Sequence, residues 1–458
     1  MKIANKKVTA ERLVKDALEK AKHFADYNIF TFLDEEGAIK RAREIDEKIA
    51  RGEDAGRLAG VPYALKDNFL SENGETTASA HILEGFKSPV TATAVEKLEA
   101  EGAIMIGRTN LDAFAHGSST ENSYYGPTLN AFDKGRVAGG SSGGSAVAVA
   151  LDIVEFATGT DTGGSIRQPA SFNGIYGFKP TYGTVSRYGV VAMASSLDCI
   201  GFFTKTPEDM NLLMEVASGQ DSRDMTTLPD FYNADVTKKN SATRIGVIKD
   251  FDNEAVDANI REALKAKCKI LKEKGFEIVE LDMPTLKYAL AAYYIIQPAE
   301  VASNLSRHDG VRYGFRSDDS SNLENLYENT RNEGFMSENK RRIMIGNFVL
   351  SSGFYDAYFL KAAKARTLIV KEYEEAFKKC DYILTPVSPN LAFKLGEKVN
   401  DPVAMYLEDL MSVSLNLAGV PGLAIPAGMS GEGLPVGLQI VGPRRSDRQL
   451  IEFAKELA

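Results

Sequence analysis

The apolar positions of the chain change between helical and strand spacing many times. Behind Thr9, apolar residues recur every three or four positions, which predicts a first helix with Thr9 as its N-terminal cap. The same spacing over 35–50 predicts a second helix, and Gly52 lies just beyond its end. Thr206 and Pro207 open a further predicted helix, because threonine caps a helix and proline fits its first turn.

Short apolar runs between these helices predict strands. The run at 61–65 leads into Lys66, and ligand sites in parallel α/β sheets lie at the carboxyl ends of strands. Residues 244–281 show a β-α-β pattern, with Gly275 as the helix stop. Further strands are predicted at 103–106, 153–157, 382–384, 423–425 and 436–441. Strands that alternate with helices predict the α/β class, with a largely parallel or mixed sheet.

The remaining segments differ in polarity. Residues 110–130 are polar and aromatic, and we predict that they loop across the surface. Residues 219–242 are rich in Asp, Ser, Asn and Lys, and we predict an exposed connection there. The other predictions are a helix over 93–101, a buried helix or strand over 145–151, short strands and turns over 174–191, mostly helix over 286–379, a helix over about 402–417 and a last helix after Ser446.

Composition narrows the class of protein. The 458 residues are 44% hydrophobic, enough for a large core, and their formal charge of −9 argues against a strong nucleic-acid binder. The three cysteines are far apart and show neither a disulfide framework nor metal-ligand spacing, which fits a reducing compartment. The sequence has no signal-like N-terminus and no apolar run of membrane-spanning length. We therefore expect a soluble, cytoplasmic protein.

Two stretches rich in glycine and serine, 139–145 and 161–167, flank a run of small apolar residues. Glycine allows backbone conformations that a Cβ forbids, and successive backbone N–H groups in such a loop can bind an anion. A serine there has its hydroxyl beside donors for a developing oxyanion, which suits acyl transfer. One such run is typical of a flexible turn, but two runs around a buried segment favour a reactive site.

The base for such a serine does not have to be histidine. Residues 139–143 match the G-x-S-x-G pattern of serine hydrolases, but no predicted strand precedes them and only His308 follows them. Lysine takes the place of histidine in some serine hydrolases. A lysine must be neutral to accept a proton, so it has to be desolvated or lie near other positive charge. Lys66, which leaves an apolar strand, suits that burial.

Residues 66–68, 139–145 and 161–167 together resemble the amidase signature family. The resemblance implies a Ser–cis-Ser–Lys triad, in which Ser165 is the nucleophile, Ser141 the bridging serine and Lys66 the base. The family's cis peptide bond would join Gly140 to Ser141. The implied oxyanion donors are the backbone N–H groups of Thr162, Gly163, Gly164 and Ser165.

The same resemblance implies the architecture. It implies one amidase domain over 1–458, with an α/β fold whose central mixed β-sheet is covered by helices on both faces. A mostly helical segment at about 285–380 would contribute to the substrate pocket. The chain departs from the family pattern at Ala113, where the family commonly has an acid, and it has less sequence before Thr9 and after Leu457.

Further stretches resemble one branch of the family, the glutamine-hydrolysing subunits of bacterial aspartyl/glutamyl-tRNA amidotransferases. They are 302–307 with 309–314, 340–344 with 355–358, and 405–410 with 416–419. By that resemblance Arg342 would bind the α-carboxylate of glutamine and Asp409 its α-amine. A zwitterionic amino acid needs one cation and one anion to recognise it, and a guanidinium can hold a carboxylate through two bonds. Tyr294 is our candidate for a tyrosine lining the pocket, with Tyr293 as the alternative.

The branch also implies partners, the B and C subunits of the amidotransferase. The chain would release ammonia from glutamine, and the B subunit would use it with ATP and Mg²⁺ to amidate Glu-tRNA(Gln), Asp-tRNA(Asn) or both. A small C subunit would complete a heterotrimer, and the misacylated tRNA would bind mainly through the partner. No metal or cofactor is expected on this chain. The alternatives are a stand-alone amidase that acts on other amides, and a catalytically inactive structural or binding subunit, which the intact Lys66, Ser141 and Ser165 count against.

Overall fold

The computed structural model describes residues 8–234, 243–251 and 253–457. Its strands form one mixed sheet in the order β1-β3-β2-β4-β6-β5-β10-β11-β9-β7-β8. The strands are β1 (Phe30–Leu33), β2 (Pro62–Lys66), β3 (Ile104–Thr109), β4 (Phe156–Asp161), β5 (Tyr176–Lys179), β6 (Cys199–Thr204), β7 (Arg244–Ile248), β8 (Glu277–Leu281), β9 (Tyr382–Pro386), β10 (Gly422–Met429) and β11 (Pro435–Val441). Strand β2 runs parallel to both β3 and β4, so the ends of these three strands meet at one edge.

The described helices cover both faces of this sheet. They are α1 (Ala10–His23), α2 (Glu35–Ala50), α3 (Thr93–Ala100), α4 (Gly143–Ala150), α5 (Arg167–Phe172), α6 (Pro207–Ala217), α7 (Phe231–Ala234), α8 (Ala258–Glu273), α9 (Ala289–Asn304), α10 (Leu323–Gly334), α11 (Ser337–Leu350), α12 (Phe359–Lys379), α13 (Pro402–Leu407), α14 (Val413–Ala418) and α15 (Asp447–Lys455). In the described ranges, no helix is both long and apolar enough to cross a membrane.

Alternation along the strands divides the core in two. In β2, Tyr63 and Leu65 belong to one apolar cluster, and Ala64 between them belongs to the other. Successive side chains of a strand point to opposite faces of its sheet, so each cluster fills the space between the sheet and one layer of helices. The predicted α/β class, with a mixed sheet and helices on both faces, is confirmed.

Most of the predicted elements are present. Thr9 caps α1 by accepting a hydrogen bond from the Arg12 N–H, and Thr206 caps α6 in the same way. The β-α-β pattern at 244–281 forms β7, α8 and β8, with the two strands parallel. The segment predicted as mostly helical holds α9, α10, α11 and α12. Of the predicted connection at 219–242, residues 235–242 lie outside the described residues.

The prediction for 110–130 was wrong. This irregular segment is largely buried instead of crossing the surface. Side chains of the segment bond its own backbone: the Asp112 carboxylate accepts hydrogen bonds from the N–H groups of Thr120 and Asn122, at 2.9 and 3.1 Å. The Asn110 side chain bonds Ser79, Ser123 and the Gly126 carbonyl. Side chains that satisfy backbone groups allow a loop to be buried.

Two other boundaries also differ from prediction. The helix predicted over 402–417 is interrupted between α13 and α14, and residues 408–412 form turns. The buried Glu408 carboxylate there binds Ser388 and Asn390, so contacts with a distant segment outweigh continued helix. The strand predicted at 153–157 begins only at Phe156, because Ile153 and Val154 are buried in the turn before it. It still leads directly into the second glycine-rich loop.

Candidate active site

Lys66 ends strand β2 and is fully buried. Its Nζ lies within hydrogen-bond distance of three hydroxyls: Ser141 Oγ at 2.9 Å, Ser142 Oγ at 2.7 Å and Thr160 Oγ1 at 2.8 Å. Burial lowers the pKa of Lys66 to about 7, against the opposing charges of three nearby aspartates. Near neutral pH a large fraction of the lysine is therefore neutral and able to accept a proton.

The first loop holds Ser141 against this lysine. The Gly140–Ser141 peptide bond is cis, as the family resemblance implies. The Gly139 carbonyl accepts a hydrogen bond from Thr120 Oγ1 at 2.7 Å, and the Gly140 N–H donates to Gln168 Oε1 at 2.9 Å. The loop then leads into the buried helix α4. The segment between the two loops is thus a helix, which resolves the predicted helix-or-strand alternative.

The second loop carries Ser165 between β4 and α5, and Ser165 is 8% exposed. Its carbonyl accepts a hydrogen bond from the Ser142 N–H at 3.2 Å, so the two serine loops are in direct contact. The structure therefore places Lys66 of β2 and Ser141 of the first loop in direct contact, with the loop of Ser165 beside them. The parallel pairing of β2 with β4 brings the end of β2 next to the loop that follows β4.

The Asp161 carboxylate holds the second loop through hydrogen bonds to its backbone. It accepts hydrogen bonds from the Gly164 N–H at 2.9 Å and from the Ile166 N–H at 3.2 Å. It also forms a fully buried ion pair with Arg167, at 3.0 Å. Although burial raises the pKa of Asp161, the Arg167 guanidinium outweighs it and holds the pKa at about 2. The carboxylate is therefore ionised and fixes the loop at any physiological pH.

The four predicted oxyanion donors are not equivalent. The Gly164 N–H is engaged by Asp161, whereas in the described part of the chain the N–H groups of Thr162, Gly163 and Ser165 have no protein acceptor. The Thr162 side chain donates to Asp198 at 2.6 Å. Unpaired N–H groups on one short loop are the arrangement that stabilises a developing oxyanion. The loop thus leaves the N–H groups of Thr162, Gly163 and Ser165 available as donors, and that of Gly164 already engaged.

Asp409 lies in the turn between α13 and α14, close to the second loop. Its carboxylate accepts hydrogen bonds from the Tyr294 hydroxyl at 2.6 Å and from Ser118 Oγ at 2.8 Å. Burial raises the pKa of Asp409 to about 6, against these two hydrogen bonds. Ser412, three residues later, donates its hydroxyl to the Gly163 carbonyl. The turn between α13 and α14 therefore places the Asp409 carboxylate beside the loop of Ser165.

Arg342 projects from α11 and is 3% exposed. Its guanidinium carbon lies 5.2 Å from the centre of the Tyr294 ring and 5.4 Å from that of Tyr406. Its Nε donates to Glu338 Oε1 at 2.7 Å. Tyr294 thus contacts both Arg342 and Asp409, so the structure groups all three candidate pocket residues.

Tyr293 has a separate place. A Cβ built on Gly163 would lie 2.6 Å from the Tyr293 hydroxyl, so this tyrosine packs directly on the oxyanion loop. Tyr294 contacts Arg342 and Asp409, whereas Tyr293 contacts the loop of Ser165. The two neighbouring tyrosines therefore connect these two charged side chains to the loop. Both line the site, with different contacts.

Several residues of the site were missed from the sequence. They are Ser118, Ser142, Thr160, Gln297, Glu338 and Tyr406. A cavity of about 170 Å³ opens on the Arg342 side and is lined by Glu338 and Tyr406 among others. Across the described ranges, no three His, Cys, Asp or Glu side chains are grouped to hold a metal ion. The chemistry of the site is that of buried hydroxyls, one amine and a separated pair of charges.

Comparison with known proteins agrees with this arrangement. The family model described as Amidase matches residues 12–451. The chain is 51% identical over 423 residues to the A subunit of the Glutamyl-tRNA(Gln) amidotransferase of Persephonella marina, covering 92% of this chain and 87% of the relative. It is 49% identical over 457 residues to the protein of the same name from Thermoanaerobacter pseudethanolicus, covering 99% and 93%.

Solved structures give the same picture. The crystal structure of the Glutamyl-tRNA(Gln) amidotransferase A subunit from Thermotoga maritima matches with a TM-score of 0.79 and 38% identity, covering 98% of this chain and 94% of that one. A crystal structure described as that of an amidase matches with a TM-score of 0.83 and 31% identity, covering 98% and 96%. From its serine loops, its buried lysine and these similarities, the chain belongs to the amidase signature family.

Proposed function

We propose that the chain is the glutamine-hydrolysing subunit of a tRNA-dependent amidotransferase. The observation that carries this proposal is the pair Arg342 and Asp409, both in contact with Tyr294, with Asp409 in the turn whose Ser412 bonds the loop of Ser165. A free amino acid presents a carboxylate and an ammonium group on one carbon, and this pair offers a partner to each. Relatives that are about half identical to the chain over most of its length carry the name of the Glutamyl-tRNA(Gln) amidotransferase A subunit.

The first half of the reaction is an acyl transfer to Ser165. Neutral Lys66 accepts the proton of Ser141, which accepts that of Ser165, and the Ser165 oxygen attacks the side-chain amide carbonyl of glutamine. The resulting oxyanion is stabilised by the unpaired N–H groups of Thr162, Gly163 and Ser165, and a donor that bonds it is worth about 3–4 kcal/mol of transition-state stabilisation. The proton returns through Ser141 to the leaving nitrogen, and ammonia departs.

The second half regenerates the enzyme. A water molecule gives a proton along the same route to Lys66 and attacks the glutamyl ester of Ser165. As the tetrahedral intermediate collapses to glutamate, the proton returns from Lys66 through Ser141 to the Ser165 oxygen and the free serine is restored. Arg342 and Asp409 hold the amino acid through both halves, so the binding energy of its charged groups orients the reacting carbonyl.

The wider assignment follows from the same proposal. Ammonia released here serves the B subunit of the assembly, which uses ATP and Mg²⁺ to amidate Glu-tRNA(Gln), Asp-tRNA(Asn) or both. The C subunit completes the heterotrimer, and the tRNA binds mainly outside this acidic chain. The assembly works in the cytoplasm, and this chain itself holds no metal or cofactor.

The test is a glutaminase assay on the complex purified with its native partners. Arg342→Ala and Asp409→Ala are expected to raise the KM for glutamine by about 100-fold, because each leaves one charged group of glutamine without its partner. Hydrolysis of butyramide, which lacks both charged groups, is expected to change by less than about threefold. Glu328→Gln, on the exposed surface of α10, serves as the control and is expected to leave both activities unchanged.

Two results would point elsewhere. Equal losses with glutamine and butyramide would show that Arg342 and Asp409 do not recognise the amino acid. Purification of the chain without any partner, together with good activity on simple amides, would favour the stand-alone amidase. The intact lysine and serines already weigh against an inactive structural subunit.

A further inference from the structure

The Arg342 guanidinium is fixed on several sides before any ligand binds. Its Nε donates to Glu338 Oε1 at 2.7 Å, and its Nη1 donates to Gln297 Oε1 at 3.1 Å. The guanidinium carbon also lies 5.2 Å from the centre of the Tyr294 ring and 5.4 Å from that of Tyr406. These are its protein acceptors within the described part of the chain, so three of its five N–H bonds remain for a ligand. A carboxylate needs two of them.

The Glu338 carboxylate is the group that holds this orientation. It lies four residues before Arg342 on α11, and the same oxygen that binds Arg342 accepts a hydrogen bond from the Tyr406 hydroxyl at 2.8 Å. Its second oxygen pairs with Arg341. Burial raises the pKa of Glu338, but the charge of Arg342 and the hydrogen bonds to it outweigh burial and hold the pKa below its ordinary value. Glu338 is therefore ionised when the site is empty.

Glu338 is connected to Asp409 through two stacked tyrosines. The rings of Tyr406 and Tyr294 lie 4.0 Å apart at 22°, and the Tyr294 hydroxyl donates to Asp409 at 2.6 Å. Contacts thus run from Glu338, which binds the Arg342 guanidinium, through Tyr406 and Tyr294 to the Asp409 carboxylate. These contacts set the spacing between the Arg342 guanidinium and the Asp409 carboxylate, the two groups that would bind the amino acid.

Opposite charges in a buried site attract strongly, because little water screens them. The charge of Arg342 acts on Asp409, yet among the described residues the two form no ion pair. If they did pair, each would neutralise the other, and a zwitterion would have to break that pair in order to bind. The site can therefore bind a zwitterionic amino acid readily only if Arg342 and Asp409 are kept apart.

We propose that Glu338 is a positioning residue for glutamine, which holds the Arg342 guanidinium away from Asp409 so that both charges remain open to the substrate. The proposal rests on the proposed function and extends it by naming what keeps the charged pair separate. Gln297 and the two tyrosines complete the surroundings of the cation, and Glu338 supplies the negative charge at its Nε edge.

The test uses the purified amidotransferase complex with Glu338→Gln and Glu338→Ala. The glutamine side chain keeps an acceptor for Arg342 and Tyr406 but loses the charge, so the KM for glutamine is expected to rise about 10-fold, and about 100-fold for Glu338→Ala. The kcat for glutamine and the kcat/KM for butyramide are expected to stay within about threefold. Glu328→Gln is again the control, since it removes the same charge from an exposed helix.

The outcomes separate the possible roles. An unchanged KM for glutamine in both variants would overturn the inference, while the wild-type complex still supports the proposed function. Parallel losses with glutamine and butyramide, with a lower melting temperature, would show a merely structural role and would also overturn it. A wild-type complex that neither binds nor hydrolyses glutamine would contradict the proposed function, and this inference with it.

Discussion

In the proposed mechanism, the protonation of one residue, Lys66, decides whether the site can react. Its amine is fully buried among three hydroxyls, and burial lowers its pKa to about 7. A lysine with an ordinary pKa would be almost wholly protonated at neutral pH and could accept nothing. Burial at the end of β2 therefore gives Lys66 the lowered pKa that the proposed base requires.

The first prediction concerns the pH dependence of this base. Since Lys66 must be unprotonated to act, kcat/KM is expected to rise with pH through about 7 and then level off. With glutamine, the rise of kcat/KM is expected to be steeper below about pH 6, because Asp409 must also ionise in order to hold the ammonium group. Butyramide is expected to show only the Lys66 rise. Profiles measured from about pH 5 to about pH 9 check this, and a flat profile through neutrality would contradict the role of Lys66.

The sequence supplied the candidate reacting residues but not the side chains that surround them. Lys66, Ser141 and Ser165 stand in recognisable motifs, and Arg342 and Asp409 followed from resemblance. Glu338 left a signal that could have been used, because it precedes Arg342 by four residues on a predicted helix and such pairs face each other. Ser118 and Tyr406 left none, since their contacts join parts of the chain far apart in sequence.

Among the elements, the interrupted helix between α13 and α14 contributes most to the site. Its turn presents Asp409 to the pocket and Ser412 to the second serine loop. Gly164 in that loop has a φ of +138°, a region that side chains rarely adopt. A Cβ built on it would lie 2.5 Å from Ser412 Oγ. The close approach of these two elements therefore requires glycine.

The second prediction tests this contact. Gly164→Ala is expected to lower kcat by at least about 100-fold, because the added methyl group pushes the loop away from Ser412 and displaces the oxyanion donors. It is also expected to cost about 1–3 kcal/mol of stability through backbone strain. Steady-state kinetics and thermal unfolding measure the two effects. Gly431→Ala, where a Cβ would meet open space, is the matched control; wild-type kcat in Gly164→Ala would refute the argument.

The elements that sequence analysis predicted well are those fixed by local pattern. The helix over 35–50 and the unit at 244–281 have regular apolar spacing and clear stop signals, and both formed as expected. The buried segment at 110–130 is held by side-chain hydrogen bonds to its own backbone, such as that of Asp112 to the Thr120 N–H, and the turn at 408–412 by the bond of Ser412 to the distant Gly163 carbonyl. Apolar spacing carries no information about such bonds, so those two predictions failed.

On the scale of the whole molecule, Arg167 ties the site to the sheet. Its guanidinium pairs with Asp161 of β4 and donates to the Ser412 carbonyl, to Asn416 of α14 at 2.7 Å and to Gln439 of β11 at 2.9 Å. One buried side chain thus joins strands from both halves of the sheet to the turn that carries Asp409. The geometry of the pocket therefore depends on how β4, β11 and α14 pack around this cation.

The third prediction follows from that position. Arg167→Met is expected to cost about 3–5 kcal/mol of unfolding free energy, because it leaves Asp161 buried without its partner. Burial then raises the pKa of Asp161 in the folded state above its unfolded value. The stability deficit is therefore expected to grow as pH rises through about 4 towards neutrality. Thermal unfolding across that range measures it, with Arg312→Met on the exposed surface as control. A deficit that shrinks towards neutral pH would contradict this account.

The central claim is that glutamine is hydrolysed through an ester on Ser165, and the most direct measurement is of that ester. The complex is mixed with glutamine, quenched in acid and analysed by peptide mass spectrometry. A glutamyl adduct is expected on Ser165 in the wild type and is expected to be absent in Ser165→Ala, which keeps Lys66 and Ser141 in place. An adduct on Ser141 or Ser145, or glutaminase activity that survives in Ser165→Ala, would contradict it.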